Sequence, residues 1–176
     1  LLDLYTIRET QGRIDTLAVA MVGDLENGRT VHSLTEALLK YNGCTLYFVS
    51  SRDLAMPGYL IDKCRERAAR GDFSFEELTH IEDVIRQVDI VYMTRIQEER
   101  FKGREHLYEK VKSIYRLDVS ALHNVRDNLK ILHPLPRVDE IAMDVDKSPY
   151  AYYFQQASNG LRVREALLAL VTGAIQ

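Results

Sequence analysis

The sequence is poor in cysteine and has no strong excess of charge of either sign. Its 176 residues include two cysteines, Cys44 and Cys64, with neither the dense spacing of a secreted disulfide framework nor a CxxC metal pair. The 23 basic and 26 acidic side chains give a formal net charge of −3, so the chain lacks the concentrated positive field that nucleic-acid phosphates select. We therefore expect a reducing, cytoplasmic compartment and no nucleic-acid partner.

Long apolar runs are missing as well. No stretch approaches the ~20 residues that a membrane-spanning helix needs, and no tract is low in complexity. With 46% hydrophobic and 28% charged residues, the composition is that of a folded globular protein. A chain of this length buries roughly 70% of the surface that its unfolded form exposes, which supports one sizeable core.

The chain opens on Leu1 rather than on a methionine. The apolar stretch 1–7 has neither a signal-peptide charge pattern nor a helix cap in front of it. We therefore expect the sequence to begin inside an element, as a fragment of a longer polypeptide would. The apolar face of this first helix would then contact a neighbour that the sequence does not contain.

Short apolar strands alternate with amphipathic helices along the chain. Apolar runs of strand length predict strands at 17–22, 45–49, 73–75, 90–93 and 129–132. Helical spacing and capping residues predict further helices at 31–41, 56–70, 81–87, 105–114 and 159–171. Such alternation is typical of βαβ units, which build a parallel sheet covered on both faces. The predicted fold class is α/β, with a doubly wound parallel sheet and helices on both faces.

Ligands of such sheets bind beyond the carboxyl ends of the strands, so the loop after the first strand is a candidate site. Residues 23–30 nearly match the P-loop pattern, but Arg29 replaces its lysine. Asp24 and Glu26 add two carboxylates that would repel a polyphosphate. Three interpretations remain open: a nucleotide loop, a helix-capping turn with a solvated arginine, and a guanidinium at a helix N-terminus that binds a carboxylate or a single phosphate.

The loop after the fourth strand contains Arg95 and Gln97. In an extended segment, residues two apart share one face, so this guanidinium and this amide can act together. Such a pair can bind a carboxylate and a neighbouring polar group. The alternative is a solvated surface, because charged residues often follow a strand.

The last strand leads into a loop with two prolines one residue apart, Pro134 and Pro136. The prolines remove two amide donors and stiffen the loop, which leaves bare carbonyls at fixed positions. The bond between Leu135 and Pro136 is a candidate cis peptide. His133 is either a catalytic group or a hydrogen-bonded structural residue.

Other chemistries lack candidates in the sequence. The remaining histidines have no metal-ligand partners at tetrahedral spacing, so no metal site is predicted. No Ser, His and acid set falls at the strand ends, and neither cysteine lies in such a loop. What remains is a set of arginines, an amide and a proline-stiffened carbonyl loop, which suits a small dianion.

Four motifs, in this order and at this spacing, resemble the transcarbamoylase family, and within it the aspartate-binding half of the aspartate carbamoyltransferases. They are residues 21–24, 28–34, 92–97 and 133–141, and the resemblance runs the whole length of the chain. The related ornithine enzymes are expected to carry a cysteine in the place of Pro134. The His-Pro-Leu-Pro-Arg sequence found here therefore favours aspartate.

The resemblance implies a Rossmann-like transcarbamoylase domain that needs no cofactor. The implied reaction converts carbamoyl phosphate and L-aspartate to N-carbamoyl-L-aspartate and phosphate, in pyrimidine biosynthesis. Arg29 and Arg95, assisted by Gln97, would bind the two carboxylates of aspartate, and the backbone of Leu135 and Pro136 would hold the carbamoyl group. Supporting roles are implied for Thr30, Arg100, His133, Pro134 and Arg137.

The resemblance also implies a domain organisation. Residues 1–16 would be an interdomain helix and linker, and residues 17–176 the L-aspartate-binding domain. The carbamoyl-phosphate-binding domain would be missing, so this chain would hold half of an active site. The complete enzyme would be a cytoplasmic homotrimer, with or without regulatory chains. The competing hypothesis is a non-catalytic small-anion-binding α/β module, or a pseudo-enzyme partner that docks through residues 1–7.

Overall fold

The computed structural model describes residues 1–96, 101, 103 and 105–174. In this part of the chain, five parallel strands form one sheet in the order β3-β2-β1-β4-β5. The strands are β1 (Ala18–Val22), β2 (Thr45–Val49), β3 (Ser74–Leu78), β4 (Ile90–Met93) and β5 (Lys130–Leu132). The α-helices of the same residues are α1 (Leu2–Gln11), α2 (Arg29–Leu38), α3 (Gly58–Ala68), α4 (Glu105–Ile114) and α5 (Tyr153–Val171). The α/β prediction is confirmed.

The inner strands of the sheet are covered on both faces. Successive side chains of a strand point to opposite faces, so each strand contributes to two cores. In β1, Val19 and Met21 join a core with α2 and α3, whereas Ala20 and Val22 join a second core that α4 covers. This burial explains why β1, β2 and β4 are continuous apolar runs in the sequence. Both cysteines are free and buried, and burial raises the pKa of the Cys64 thiol to about 12.

The helix predicted at 81–87 is wrong. The chain forms two 3-10 turns instead, Ile81–Asp83 and Ile85–Gln87, separated by Val84 with a φ of −132°, which is not helical. The apolar residues at helical spacing are nonetheless buried in the core beside the sheet. Burial alone therefore produced the helical pattern.

The bounds of other elements also differ from prediction, by one or two residues in β1, α3 and β5 and by more in α2, β3 and α5. α2 spans Arg29–Leu38 rather than 31–41. β3 extends to Leu78, beyond the predicted 73–75, because it pairs only with β2 at the sheet edge and its partly exposed side chains carry little apolar signal. α5 begins at Tyr153 rather than at residue 159, because its first turn is fixed by tertiary contacts of buried Tyr153 and Gln156. By contrast, the strands at 45–49 and 90–93 and the helix at 105–114 have the predicted bounds.

Helices α1 and α5 pack against each other through polar contacts. Asn159 donates hydrogen bonds to Thr6 Oγ1 (3.2 Å) and Glu9 Oε2 (2.6 Å), and Tyr152 donates to Glu9 at 3.0 Å. Leu1 and several apolar side chains of α5 remain exposed. None of the helices in the described residues has the length and apolar character needed to span a membrane.

Asp89, just before β4, connects two other segments of the chain, the start of β1 and the loop before β5. Its carboxylate accepts hydrogen bonds from the Ala18 N–H (2.9 Å), Arg126 Nη1 (2.8 Å) and Asn128 Nδ2 (2.8 Å), and the residue is 2% exposed. Burial disfavours the charged carboxylate, but these donors outweigh burial and lower the pKa of Asp89. The side chain therefore fixes the start of β1 beside the start of β4.

Replacing Asp89 by Asn is expected to lower the free energy of unfolding by about 1.5–3 kcal/mol, because hydrogen bonds to a charged group are lost and an amide NH₂ faces other donors. Urea unfolding at pH 7 measures this loss. The exposed carboxylate Asp127 provides the control, and Asp127→Asn should change stability by less than about 0.5 kcal/mol.

The loss at Asp89 should also depend on pH. Because the folded pKa is lowered, the stabilisation is complete above the ordinary value of 3.8 and decreases as the pH falls below it. The stability difference between wild type and Asp89→Asn should therefore narrow on acidification. A difference that stays constant would contradict the role of the carboxylate.

Candidate functional site

An open cleft of about 350 Å³ lies at the carboxyl edge of the sheet, beyond β1, β4 and β5. The three loops that the sequence singled out meet there. The cleft is lined by Asn27, Gly28, Arg29, Thr30, Thr94, Arg95, His133, Pro134, Leu135 and Pro136. Arg29 and Arg95 thus share one cleft with the Leu135 loop.

Arg29 is the first residue of α2 and is exposed, directly after the N-cap Gly28. Because no side chain caps this helix end, its N–H groups and its dipole favour an anion in the cleft. Gly28 allows the loop to turn tightly here, since a Cβ at this position would lie 2.7 Å from the Asp24 carbonyl and 2.9 Å from a Val31 methyl. The arginine and the helix N-terminus therefore favour a negative ligand together.

Asp24 closes the loop between β1 and α2. Its buried carboxylate accepts hydrogen bonds from the Asn27 N–H (2.9 Å) and from Asn27 Nδ2 (3.1 Å). In a P-loop, amides at such positions would bind phosphate oxygens. An internal carboxylate already occupies this amide, so the geometry argues against the nucleotide interpretation. His32, which the sequence left without a role, contacts the Leu25 carbonyl through Nε2 at 2.7 Å and further fixes the loop.

Thr94 joins the β4 loop to the β1 loop. It is 3% exposed, and both its N–H (2.8 Å) and its hydroxyl (3.0 Å) donate to the Val22 carbonyl. Gly23, with a φ of +114°, approaches so closely that a Cβ would lie 2.6 Å from the Thr94 hydroxyl. The loop that carries Arg95 is therefore seated directly on the loop that leads to Arg29. Of the predicted site residues, Gln97 and Arg100 lie outside the described residues.

His133 is a structural residue in this geometry. It is 1% exposed, its Nδ1 accepts the Leu135 N–H at 2.8 Å, and its Nε2 lies 2.7 Å from Glu140 Oε1. Because Nδ1 must accept, Nε2 carries the proton and donates it to the carboxylate. Both ring nitrogens are thus occupied away from the cleft. The Leu135–Pro136 peptide is cis, as the sequence suggested.

Glu140 holds the far end of the same loop. Its second oxygen accepts the N–H groups of Val138 and Asp139, both at 3.1 Å. Burial disfavours the charged form, but the hydrogen bonds from His133 and the backbone outweigh burial and lower the pKa of Glu140. The loop therefore closes on an ionised carboxylate, which the sequence did not identify.

Arg137 lies outside the cleft lining. Its guanidinium makes two hydrogen bonds to Asp146, each 2.5 Å long, and one to the Tyr153 hydroxyl at 3.0 Å. Its charge is thus compensated within the domain, and it fastens the loop to the start of α5. The cationic groups that line the cleft are Arg29 and Arg95, and none of the described lining residues is acidic.

Comparisons with known proteins agree with this geometry. The family model "Aspartate/ornithine carbamoyltransferase, Asp/Orn binding domain" matches residues 15–171. Two structures of the catalytic subunit of M. jannaschii aspartate transcarbamoylase are 43% and 41% identical, with TM-scores of 0.88 and 0.91. They cover 98% and 99% of this chain and 54% and 56% of their own.

Aspartate transcarbamoylase from Trypanosoma cruzi, in complex with N-(phosphonacetyl)-L-aspartic acid, is 31% identical with a TM-score of 0.87, over 95% of this chain and 53% of its own. The present chain thus spans about half the length of these relatives. The resemblance stated from four sequence motifs is confirmed. The chain belongs to the aspartate/ornithine carbamoyltransferase family and carries its Asp/Orn-binding domain.

Proposed function

We propose that this chain is the aspartate-binding half of an aspartate carbamoyltransferase, which converts carbamoyl phosphate and L-aspartate to N-carbamoyl-L-aspartate and phosphate. The main support is the shared cleft, which Arg29 and Arg95, from separate strand-end loops, line together with the Leu135–Pro136 turn. Each guanidinium can bind one carboxylate through two parallel hydrogen bonds. Together they can hold a short dicarboxylate at both ends.

The charge of the cleft favours aspartate over ornithine. Ornithine carries one carboxylate and a cationic side chain, and none of the described residues that line the cleft is an acid that could pair with that cation. Aspartate carries two carboxylates, one for each of the two arginines. The relatives include a T. cruzi aspartate transcarbamoylase in complex with aspartate and phosphate, which agrees with this preference.

The Leu135 loop offers acceptors and no free donor to the cleft. Pro134 and Pro136 have no N–H, and the Leu135 N–H is already bound by His133 Nδ1. Their carbonyls therefore suit the NH₂ of a carbamoyl group, which has two protons to donate. A loop that accepts hydrogen bonds in this way supports the proposed role of Leu135 and Pro136 in holding the carbamoyl group. His133 and Pro134 are proposed to support the loop itself.

The proposed reaction is a nucleophilic substitution at the carbamoyl carbon. Binding of both carboxylates directs the amine of aspartate toward that carbon. A C–N bond forms there, the amine loses a proton, and the C–O bond to phosphate breaks. Such positioning can lower the barrier by ~7–11 kcal/mol. The oxyanion and the departing phosphate need further donors and cations. We propose that these come from a carbamoyl-phosphate-binding domain, in the complete polypeptide or on a companion chain.

The remaining parts of the proposal concern organisation. Residues 1–16 are proposed as an interdomain helix and linker, and residues 17–176 as the aspartate-binding domain. Gln97 and Thr30 are proposed to assist aspartate binding, Arg100 to stabilise a closed form, and Arg137 to support the loop. The complete enzyme is proposed as a cytoplasmic homotrimer in pyrimidine biosynthesis, with or without regulatory chains.

Arg29→Ala and Arg95→Ala should each weaken binding of N-(phosphonacetyl)-L-aspartate to the complete enzyme. A lost charge-assisted contact is worth about 1.5–3 kcal/mol, so the dissociation constant should rise about ten- to hundredfold. Calorimetric titration measures the change. Arg86→Ala removes an exposed arginine outside the cleft and should leave binding unchanged. Wild-type affinity in both cleft variants would refute the carboxylate assignment.

Supplying a carbamoyl-phosphate-binding domain should restore the reaction. The assembled protein is expected to release phosphate from carbamoyl phosphate when aspartate is present, and much less when ornithine replaces it. The double variant Arg29→Ala, Arg95→Ala serves as the matched inactive control. An assembled, folded pair that produces no carbamoyl-aspartate would favour the non-catalytic module instead.

A further inference from the structure

A network of hydrogen-bonded polar side chains connects helices α1 and α5 to the loop that carries Leu135. Gln156 on α5 is 1% exposed, and its Oε1 accepts the His133 N–H at 2.8 Å. Its Nε2 donates to Asp3 Oδ1 on α1 at 2.8 Å. The other oxygen of Asp3 accepts the Tyr92 hydroxyl at 3.2 Å. A buried amide is thus used at both ends, behind the cleft and not in its lining.

The contacts continue from His133 into the loop. The imidazole binds the Leu135 N–H through Nδ1 and Glu140 through Nε2, so the peptide and the ring of His133 are held from opposite sides. Leu135 has a φ of +53°, a backbone conformation that leucine rarely adopts, and surrounding contacts must hold it there. Gln156 supports the loop from outside at the His133 end, as Asp146 and Tyr153 do through Arg137 at its other end.

The direction of the hydrogen bonds in this network is set by Asp3, on α1. An ionised carboxylate only accepts hydrogen bonds, so Asp3 orients the NH₂ of Gln156 toward itself and turns the amide oxygen toward the His133 N–H. A glutamine amide supplies the donor and the acceptor that this arrangement requires. The orientation of a loop at the cleft therefore depends on a carboxylate on another helix.

We propose that Gln156, oriented by Asp3, is a positioning residue for the carbamoyl-binding loop. This inference rests on the proposed function. Gln156 is hydrogen-bonded to the His133 N–H and to Asp3, and it is not among the described residues that line the cleft with Arg29 and Arg95. Its loss should therefore reduce kcat more than the binding of aspartate.

Gln156→Leu tests this role in the complete enzyme, because leucine has a similar size and cannot accept the His133 N–H. We expect kcat to fall about tenfold or more, and the KM for aspartate to change less than about twofold. Gln155, the exposed neighbour on α5, provides the matched control. Gln155→Leu should leave both constants unchanged.

Exchanging the carboxylate and the amide between residues 3 and 156 tests the orienting role of Asp3, even if the leucine variant folds poorly. Gln156→Glu places a second carboxylate against Asp3, so kcat should fall about tenfold or more at pH 8. Adding Asp3→Asn supplies an amide donor to the new carboxylate, which still accepts the His133 N–H. The double variant should recover to within about threefold of wild type, a coupling that space filling alone does not produce. Because burial raises the pKa of Asp3 above its ordinary value of 3.8, the comparison is made at pH 8 rather than in acid.

Hydrogen exchange separates the inference from the proposed function. In Gln156→Leu, the His133 amide should exchange faster than in wild type, whatever reaction the protein catalyses. If wild type makes no carbamoyl-aspartate but this exchange accelerates, the proposed function fails and the support of the loop by Gln156 stands. With an active wild type, unchanged kcat in a folded Gln156→Leu variant, or a double variant no better than Gln156→Glu, would overturn the inference.

Discussion

The arrangement of the cleft depends on the parallel pairing of β1 with β4. Val22 and Met93 are partners at the ends of these strands, and the Thr94 N–H continues the ladder to the Val22 carbonyl. Neighbouring strands lie about 4.8 Å apart, so the loops that follow them begin side by side. The β5 loop joins them because β5 pairs with the other side of β4. A sheet in which β1 and β4 were not neighbours would separate the two arginines.

Each loop is then held by groups inside the domain, which leaves the cleft for its ligand. Asp24 uses an amide of the β1 loop, Thr94 seats the β4 loop, and Glu140 with His133 secures the last one. Arg137, although close in sequence to the cleft, is neutralised by Asp146. Among the described lining residues, the positive charge at the cleft therefore comes from the guanidinium groups of Arg29 and Arg95 and from the N-terminus of α2.

The sequence predicted those features that follow from burial and from the alternation of strands with helices. The strands at 45–49 and 90–93 were predictable because they are buried on both faces, and the candidate arginines because they follow strand ends. The edge strand β3 gave a weaker signal because its side chains are partly exposed. The apolar residues around Val84 have helical spacing, but the φ of Val84 is not helical and separates two short turns. Contacts such as Asp3 with Gln156 join residues 153 positions apart, and no local pattern announces them.

The paucity of donors in the Leu135 turn has a consequence for inhibitor chemistry. A compound that enters this side of the cleft meets carbonyl oxygens, since the prolines carry no N–H and the Leu135 N–H is engaged by His133. A primary amide or a urea would be matched there, whereas an ester or ketone would place its oxygen against a carbonyl oxygen. Selective ligands of this pocket should therefore combine a nitrogen-rich head with a doubly anionic tail.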